Sequence, residues 1–135
     1  NKGKEIGTHK GYIYYTVGQK RDLNLVDNRK AYVTNIDARN NILTVDKKES
    51  LNHYNILLDN IHLINQEDIT EGSKIYVNIR GYGLNPGELA EVKEIKSNNV
   101  LLKLTSPAWA VAPGQPVVFY KDDMVLGGGI AIKSW

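Results

Sequence analysis

Apolar and polar residues alternate in short runs over most of the chain. In "KIYVNIR" (74–80), Ile75, Val77 and Ile79 share one face, and Tyr76, Asn78 and Arg80 share the other. "AYVTNID" (31–37) and "NILTVD" (41–46) flank Arg39-Asn40-Asn41, a hairpin signal. "LAEVKEIK" (89–96) and "VLLKL" (100–104) flank Ser97-Asn98-Asn99, a second. "PVVFY" (116–120) and "MVLGGGIAI" (124–132) flank Lys121-Asp122-Asp123, a third. "ILLDNIHLI" (56–64) is a further strand, and only "KKESLNHYN" (47–55) invites a short helix. Closely spaced strands with turn signals predict small antiparallel barrels or sandwiches. No internal repeat is evident.

The polar, acidic stretch "NQEDITEGSK" (65–74) interrupts this series and predicts a boundary, giving domains at 1–66 and 67–135. Each would be near the lower size limit for an independent core. The fold class predicted is mainly β in two small domains: a central β-rich domain with little helix, then a C-terminal antiparallel β-barrel.

Composition narrows the chemistry. The 135 residues are 41% hydrophobic and 24% charged, as in a folded globular chain. No apolar run approaches a membrane span, and "NKGKEIGTHK" carries no signal-peptide core. The absence of cysteine excludes a disulfide framework, a thiolate metal site and a cysteine nucleophile. Net charge is +2, unevenly spread. Residues 1–48 hold ten Lys or Arg against five Asp or Glu, and residues 49–73 hold five acids and no Lys or Arg. A basic N-terminal stretch suits a polyanion partner, although lysines also guard ordinary strand edges.

Catalytic patterns are missing. His9, His53 and His62 do not stand at metal-binding spacings. Asp122-Asp123 falls in a hairpin turn, where Asp is expected for backbone reasons. "GYGLNPG" (81–87) departs from the phosphate-loop spacing, and no helix is predicted after it. "LGGG" (126–129) reads as a bulge or a close approach of backbones.

Four segments, in order, resemble the C-terminal part of the tRNA-specific 2-thiouridylase family. "GTHKGYIYYTVGQKRDL" (7–23) is similar to the family's G-x-H-x-G…Y-T-I-G-Q-R-K-G-L run. "AYVTNIDARNNILTV" (31–45) follows, and "VNIRGYG" (77–83) stands where the family has a K-I-R-Y-R strand end. "SPAWAVAPGQPVVFYKDDMVLGGGIAI" (106–132) resembles the P…A-V-x-P-G-Q…L-G-G-G-x-I ending. Two departures stand out. Asp22 replaces a family Gly, so a tight glycine turn is not expected there, and Gly81 stands for the family's Tyr, with Tyr82 one place later.

The resemblance implies a role. Such enzymes put sulfur on the wobble uridine of tRNA, using ATP with Mg and a persulfide in a PP-loop domain with two cysteines. Neither the loop nor the cysteines occur here, so the expectation is a tRNA-gripping portion that is inactive alone. No catalytic residue, cofactor or metal site is expected in the chain itself. Implied partners are the tRNA anticodon arm, the chain's own N-terminal catalytic domain, and a sulfur-carrier protein or cysteine desulfurase. Membrane association is not expected, and the location is cytoplasmic. Carried over residue by residue, the tRNA contacts are Arg80, Gly81 and Gln115. His9, Lys10, Gln19, Lys20 and Arg21 are weaker candidates for RNA or the catalytic domain. Tyr12 to Val17 are expected to divide between a small core and a surface. Trp109 is expected to pack internally. The competing reading is a stand-alone β-barrel module that binds protein or other RNA.

Overall fold

The computed structural model describes residues 3–25, 30–79, 85–86 and 88–135. They form two compact units, Asn1–Leu51 and Asn52–Trp135 by chain contacts.

In the first unit, β1 (Tyr32–Asp37) and β2 (Ile42–Asp46) form an antiparallel hairpin. Asp37 closes its turn: Oδ1 accepts from the Arg39 and Asn40 N–H groups, and Oδ2 from the Asn40 amide. Asn41 completes the turn in the left-handed region, at φ 53°. Apolar burial is sparse. Leu23, Ala31, Val33 and Leu51 are the buried hydrophobic residues described here, a thin core for its size.

The predicted helix at 47–55 is a single 3-10 turn, Lys48–Leu51. Asp46 caps it, accepting from the Lys47 N–H and the Ser50 hydroxyl at 2.8 Å each. The chain becomes a strand at Asn52 because Asn52 and His53 pair with Trp109 and Ala108.

The second unit is the expected barrel. Its strands are β3 (Asn52–Leu63), β4 (Lys74–Ile79), β5 (Ala90–Lys96), β6 (Asn99–Trp109), β7 (Pro116–Lys121) and β8 (Met124–Ser134). They close in the order β3-β6-β5-β4-β7-β8, and every described pairing is antiparallel. Closure removes the sheet edges that would otherwise invite association. Alternation is obeyed: Ile75, Val77 and Ile79 point inward from β4, as do Val117 and Phe119 from β7. They meet Ile56, Leu58, Val92, Leu102 and Leu126 in one core.

The boundary expected at 66/67 falls instead inside this unit. β3 is a barrel strand, paired with both β6 and β8. The acidic 65–74 stretch is therefore a connection between two barrel strands. Asn65 caps its 3-10 turn (Gln66–Asp68) by accepting from the Glu67 N–H.

The glycine run in β8 marks close backbone approach, as expected. A Cβ on Gly127 would strike the His62 carbonyl oxygen, and one on Gly128 the Val117 carbonyl oxygen. A Cβ on Gly129 would strike the Ile61 side chain. The three glycines let β8 lie tightly between β3 and β7.

Candidate nucleic-acid interface

Arg80 and Gly81 lie outside the described residues, as does most of "GYGLNPG". Up to that point β4 keeps its register, with Tyr76 and Asn78 outward. The Asn85 side chain accepts the Ile79 N–H at 2.7 Å, which completes the hydrogen bonding of the buried strand end.

Gln115 belongs to a turn with a definite construction. Across Ala112-Pro113-Gly114-Gln115, the Gln115 N–H donates to the Ala112 carbonyl at 3.2 Å. Gly114 takes φ 89°, the left-handed third position of a type II turn. The Gln115 side-chain carbonyl turns back to accept the Ala112 N–H at 2.7 Å. The Gly114 N–H and Gln115 carbonyl then bracket Ala131, bonding its carbonyl at 2.7 Å and its N–H at 2.8 Å.

Gln19 sits in the same device. Across Thr16-Val17-Gly18-Gln19, its N–H donates to the Thr16 carbonyl, and Gly18 takes φ 91°. Its side-chain oxygen accepts the Thr16 N–H at 3.0 Å. Gly18 and Gln19 bracket Val33 at 2.7 and 2.9 Å. A third copy uses a hydroxyl. In Thr70-Glu71-Gly72-Ser73 the Ser73 Oγ accepts the Thr70 N–H at 3.0 Å, Gly72 takes φ 89°, and the pair brackets Val92. Val33, Val92 and Ala131 are all buried. The chain thus carries a short structural repeat, Gly followed by Gln or Ser, that tacks a loop onto a core strand residue in both units. The sequence alone hides it, because Gly-Gln and Gly-Ser are ordinary dipeptides. Both glutamines place their amide oxygens on their own turns, and the Gln19 amide nitrogen also donates to the Arg21 carbonyl at 2.9 Å.

Residues 7–23 are pinned to the hairpin through Asn41. The Gly11 N–H donates to His9 Nδ1 at 3.1 Å, which leaves the hydrogen on Nε2 to reach the Asn41 carbonyl at 2.9 Å. The Asn41 side-chain oxygen accepts the Tyr12 N–H at 3.0 Å. His9 also meets the Tyr15 ring edge to face, centroids 5.4 Å apart. Both His9 ring nitrogens therefore serve the local fold. Lys20 places its ammonium 5.9 Å from the Tyr32 ring centroid. Lys10 and Arg21 are exposed. Asp22 sits at a bend with φ 59°, in the left-handed region that Asp tolerates better than most residues.

Between the two pinned loops, Tyr12–Tyr14 forms one 3-10 turn with no buried residue. Tyr12, Ile13 and Tyr14 are 36%, 71% and 68% exposed. The expected division of this run between core and surface is therefore uneven: Tyr15 and Val17 are half-buried, and the three before them face solvent. The signal missed in the sequence is the pairing of His9 and Tyr12 with Asn41, about thirty residues away.

The remaining candidates belong to the barrel unit. Asp122 and Asp123 are exposed in the β7–β8 turn, with Asp122 at φ 53°. His62 contacts the Asn60 side chain at 3.2 Å. His53 Nδ1 lies 2.7 Å from the Ser134 hydroxyl, and burial holds its pKa below the ordinary value. Trp109 is half-buried. Trp135 carries the Lys133 ammonium 5.3 Å from its ring centroid, and its backbone pairs with Asn55. Among the described residues no cluster of His, Cys, Asp and Glu could hold a metal ion, and no helix is long and apolar enough to cross a membrane.

Comparison with known proteins follows the division into units. Residues 1–47 match the family model described as tRNA methyl transferase PRC-barrel domain, and 53–131 match the one described as Aminomethyltransferase beta-barrel domain. A protein of Natranaerobius thermophilus named tRNA-specific 2-thiouridylase MnmA is 38% identical over 133 residues, 98% of this chain and 36% of that protein. MnmA 2 of Thermoanaerobacter sp. strain X514, of the same name, is 40% identical over 128 residues, covering 95% of this chain and 35% of its own. The Rickettsia felis protein is 36% identical over 127 residues, with 94% and 34% covered. The chain spans about a third of the length of the curated relatives it matches.

Proposed function

The chain belongs to the tRNA-specific 2-thiouridylase family, matching it over its hairpin unit and its barrel, and from that premise we propose that it is the part of such an enzyme that grips tRNA. The reaction of the whole enzyme is sulfur transfer to the wobble uridine, with ATP and Mg and a persulfide supplied by a separate catalytic domain. A base that is modified inside a pocket has to leave its stack, so the surrounding anticodon arm needs a second hold. The two units described here supply that hold. Further partners are the catalytic domain and a protein that delivers sulfur, and the location is cytoplasmic.

The observation that carries this reading is the match of both units, in order, to relatives named for 2-thiouridylation of tRNA. Charge agrees with it, since ten bases oppose five acids over residues 1–48. Arg80 and Gly81 are the foremost contacts, by their place in the family motif. Gln115 joins them through the turn that it builds, which fixes the backbone of Pro113 and Gly114 for close approach. Without a cysteine the chain has no carrier for a persulfide, so alone it binds and does not thiolate.

An anticodon stem-loop RNA titrated into the 135-residue chain tests this. The expected result is weak binding whose affinity falls as salt rises, with Arg80→Ala weakening it further. Absence of binding even at low salt overturns the reading. With ATP, tRNA and a sulfur donor added, formation of thiolated uridine would overturn the assignment of catalysis elsewhere.

A further inference from the structure

We propose that the Tyr12–Tyr14 turn is a stacking platform for unpaired nucleotides; the inference rests on the tRNA-binding reading and adds residues of the first unit to it. Exposed apolar side chains that occur singly need no explanation, but three in succession on a rigid turn do.

The turn is built to hold its shape without burying anything. Gly11, at φ 128°, lets the chain break from extended geometry into the 3-10 turn. The Tyr14 N–H donates to the Gly11 carbonyl at 3.3 Å, and the Tyr15 N–H to the Tyr12 carbonyl at 3.1 Å. Asn41, in the hairpin turn, anchors the entry to the turn, through its carbonyl to His9 and its side chain to the Tyr12 N–H. Behind the turn, Tyr15 is locked against the His9 ring. The Tyr14 ring is on the Gly11 side of the turn, where a side chain at Gly11 would meet it at 3.9 Å. The ring has no buried surface to pack on and remains 68% exposed. An exposed phenol on a hydrogen-bonded turn already presents its ring, and the backbone loses little freedom when a base stacks on it.

Charge decides the kind of partner. Lys10 precedes the turn, and Arg39 stands in the hairpin turn that Asn41 anchors; both are exposed. The nearby acid in that turn, Asp37, has both oxygens engaged with the Arg39 and Asn40 N–H groups and the Asn40 amide. Asp37 keeps its charge but is turned into its own hairpin turn, while Lys10, next to the tyrosine turn, and Arg39 remain exposed, and rings together with cations are the pairing that single-stranded nucleic acid requires. An apolar partner protein would be served by the rings but would gain nothing from the cations.

The test compares a stem-loop RNA having an unpaired loop with the same stem closed as a blunt duplex, using the 135-residue chain. Tyr14→Ala should weaken binding to the loop RNA roughly five- to hundred-fold and leave duplex binding unchanged. Tyr14→Phe should restore the loop affinity, because stacking needs the ring and not the hydroxyl. Lys10→Ala should weaken both RNAs and make the salt dependence shallower. If Tyr14→Ala binds the loop RNA as tightly as the unaltered chain while Arg80→Ala does not, the platform is refuted and the tRNA-binding reading stands. If neither RNA binds the unaltered chain, both fall. A thermal melt of Tyr14→Ala within a few degrees of the parent excludes misfolding as the cause, and the Tyr14→Phe arm decides the matter if the melt shifts.

Discussion

Gln115 shows how a residue singled out for recognition also holds its own loop together. Its side-chain oxygen accepts the Ala112 N–H, so Gln115→Ala leaves a half-buried donor without that partner. The expected cost is about 1 kcal/mol, read as a lower urea midpoint at unchanged slope. Gln115→Glu keeps the acceptor and should lose less. His53 gives a different kind of prediction. Burial depresses its folded pKa below the ordinary 6.5, so the unfolded chain binds the proton more readily. Stability is therefore full above about pH 6.5 and falls as pH drops from there through the depressed folded value. Asp37 and Asp46 act lower. Hydrogen bonds hold their pKa below 3.8, so their contribution goes only as pH falls below that region. A urea midpoint measured between pH 7 and 5 should decline, and His53→Gln should flatten the decline. A decline that persists unchanged in His53→Gln would show that His53 is not the cause. At this scale the sequence told little: nothing in "GTHKG" announces that both His9 nitrogens are taken by backbone groups, one of them from the far hairpin.

Strand elements were legible where alternation is strict, as in β4, and where hairpin turns carry Asn, Asp or Ser. Asn41, Ser97 and Asp122 all take the left-handed conformation those turns need. The helix expected at 47–55 shrank to one turn because pairing of Asn52 and His53 with β6 outweighs local preference. Glycines separate into two kinds that sequence cannot distinguish. Gly114 has φ 89° and open space where a Cβ would go, so Gly114→Ala meets only backbone strain, about 1–2 kcal/mol. Gly127 has φ 146° and faces the backbone of His62 and Leu63. Gly127→Ala must push β8 off β3, and the barrel should be far less stable than with Gly114→Ala. Urea midpoints of the two variants check the order, and equal losses would mean that β8 can shift at little cost.

At the level of the molecule, all six barrel strands lie within Asn52–Trp135 and each has a neighbour on both sides. Residues 52–135 expressed alone should therefore fold cooperatively, with dispersed amide NMR signals and a single thermal transition. A disordered spectrum would show that the barrel needs the first unit. The hairpin unit, with its thin core, is the one expected to depend on a partner.

The class of the protein is set by residue order alone. Alternating runs dictate a β protein, turn residues place the hairpins, and four ordered motifs carry the family likeness, because each depends on neighbours a few positions apart. Three matters depend on residues distant in sequence meeting in space. The boundary moved to Leu51/Asn52 because β3 pairs with strands some fifty and seventy residues away. The Gly-Gln and Gly-Ser turns became a repeat only through the buried residues they bracket, Val33, Val92 and Ala131. And Tyr12–Tyr14 was fixed as an exposed turn, its first N–H bonded to Asn41, where an amphipathic reading of the same letters would as readily have turned it in.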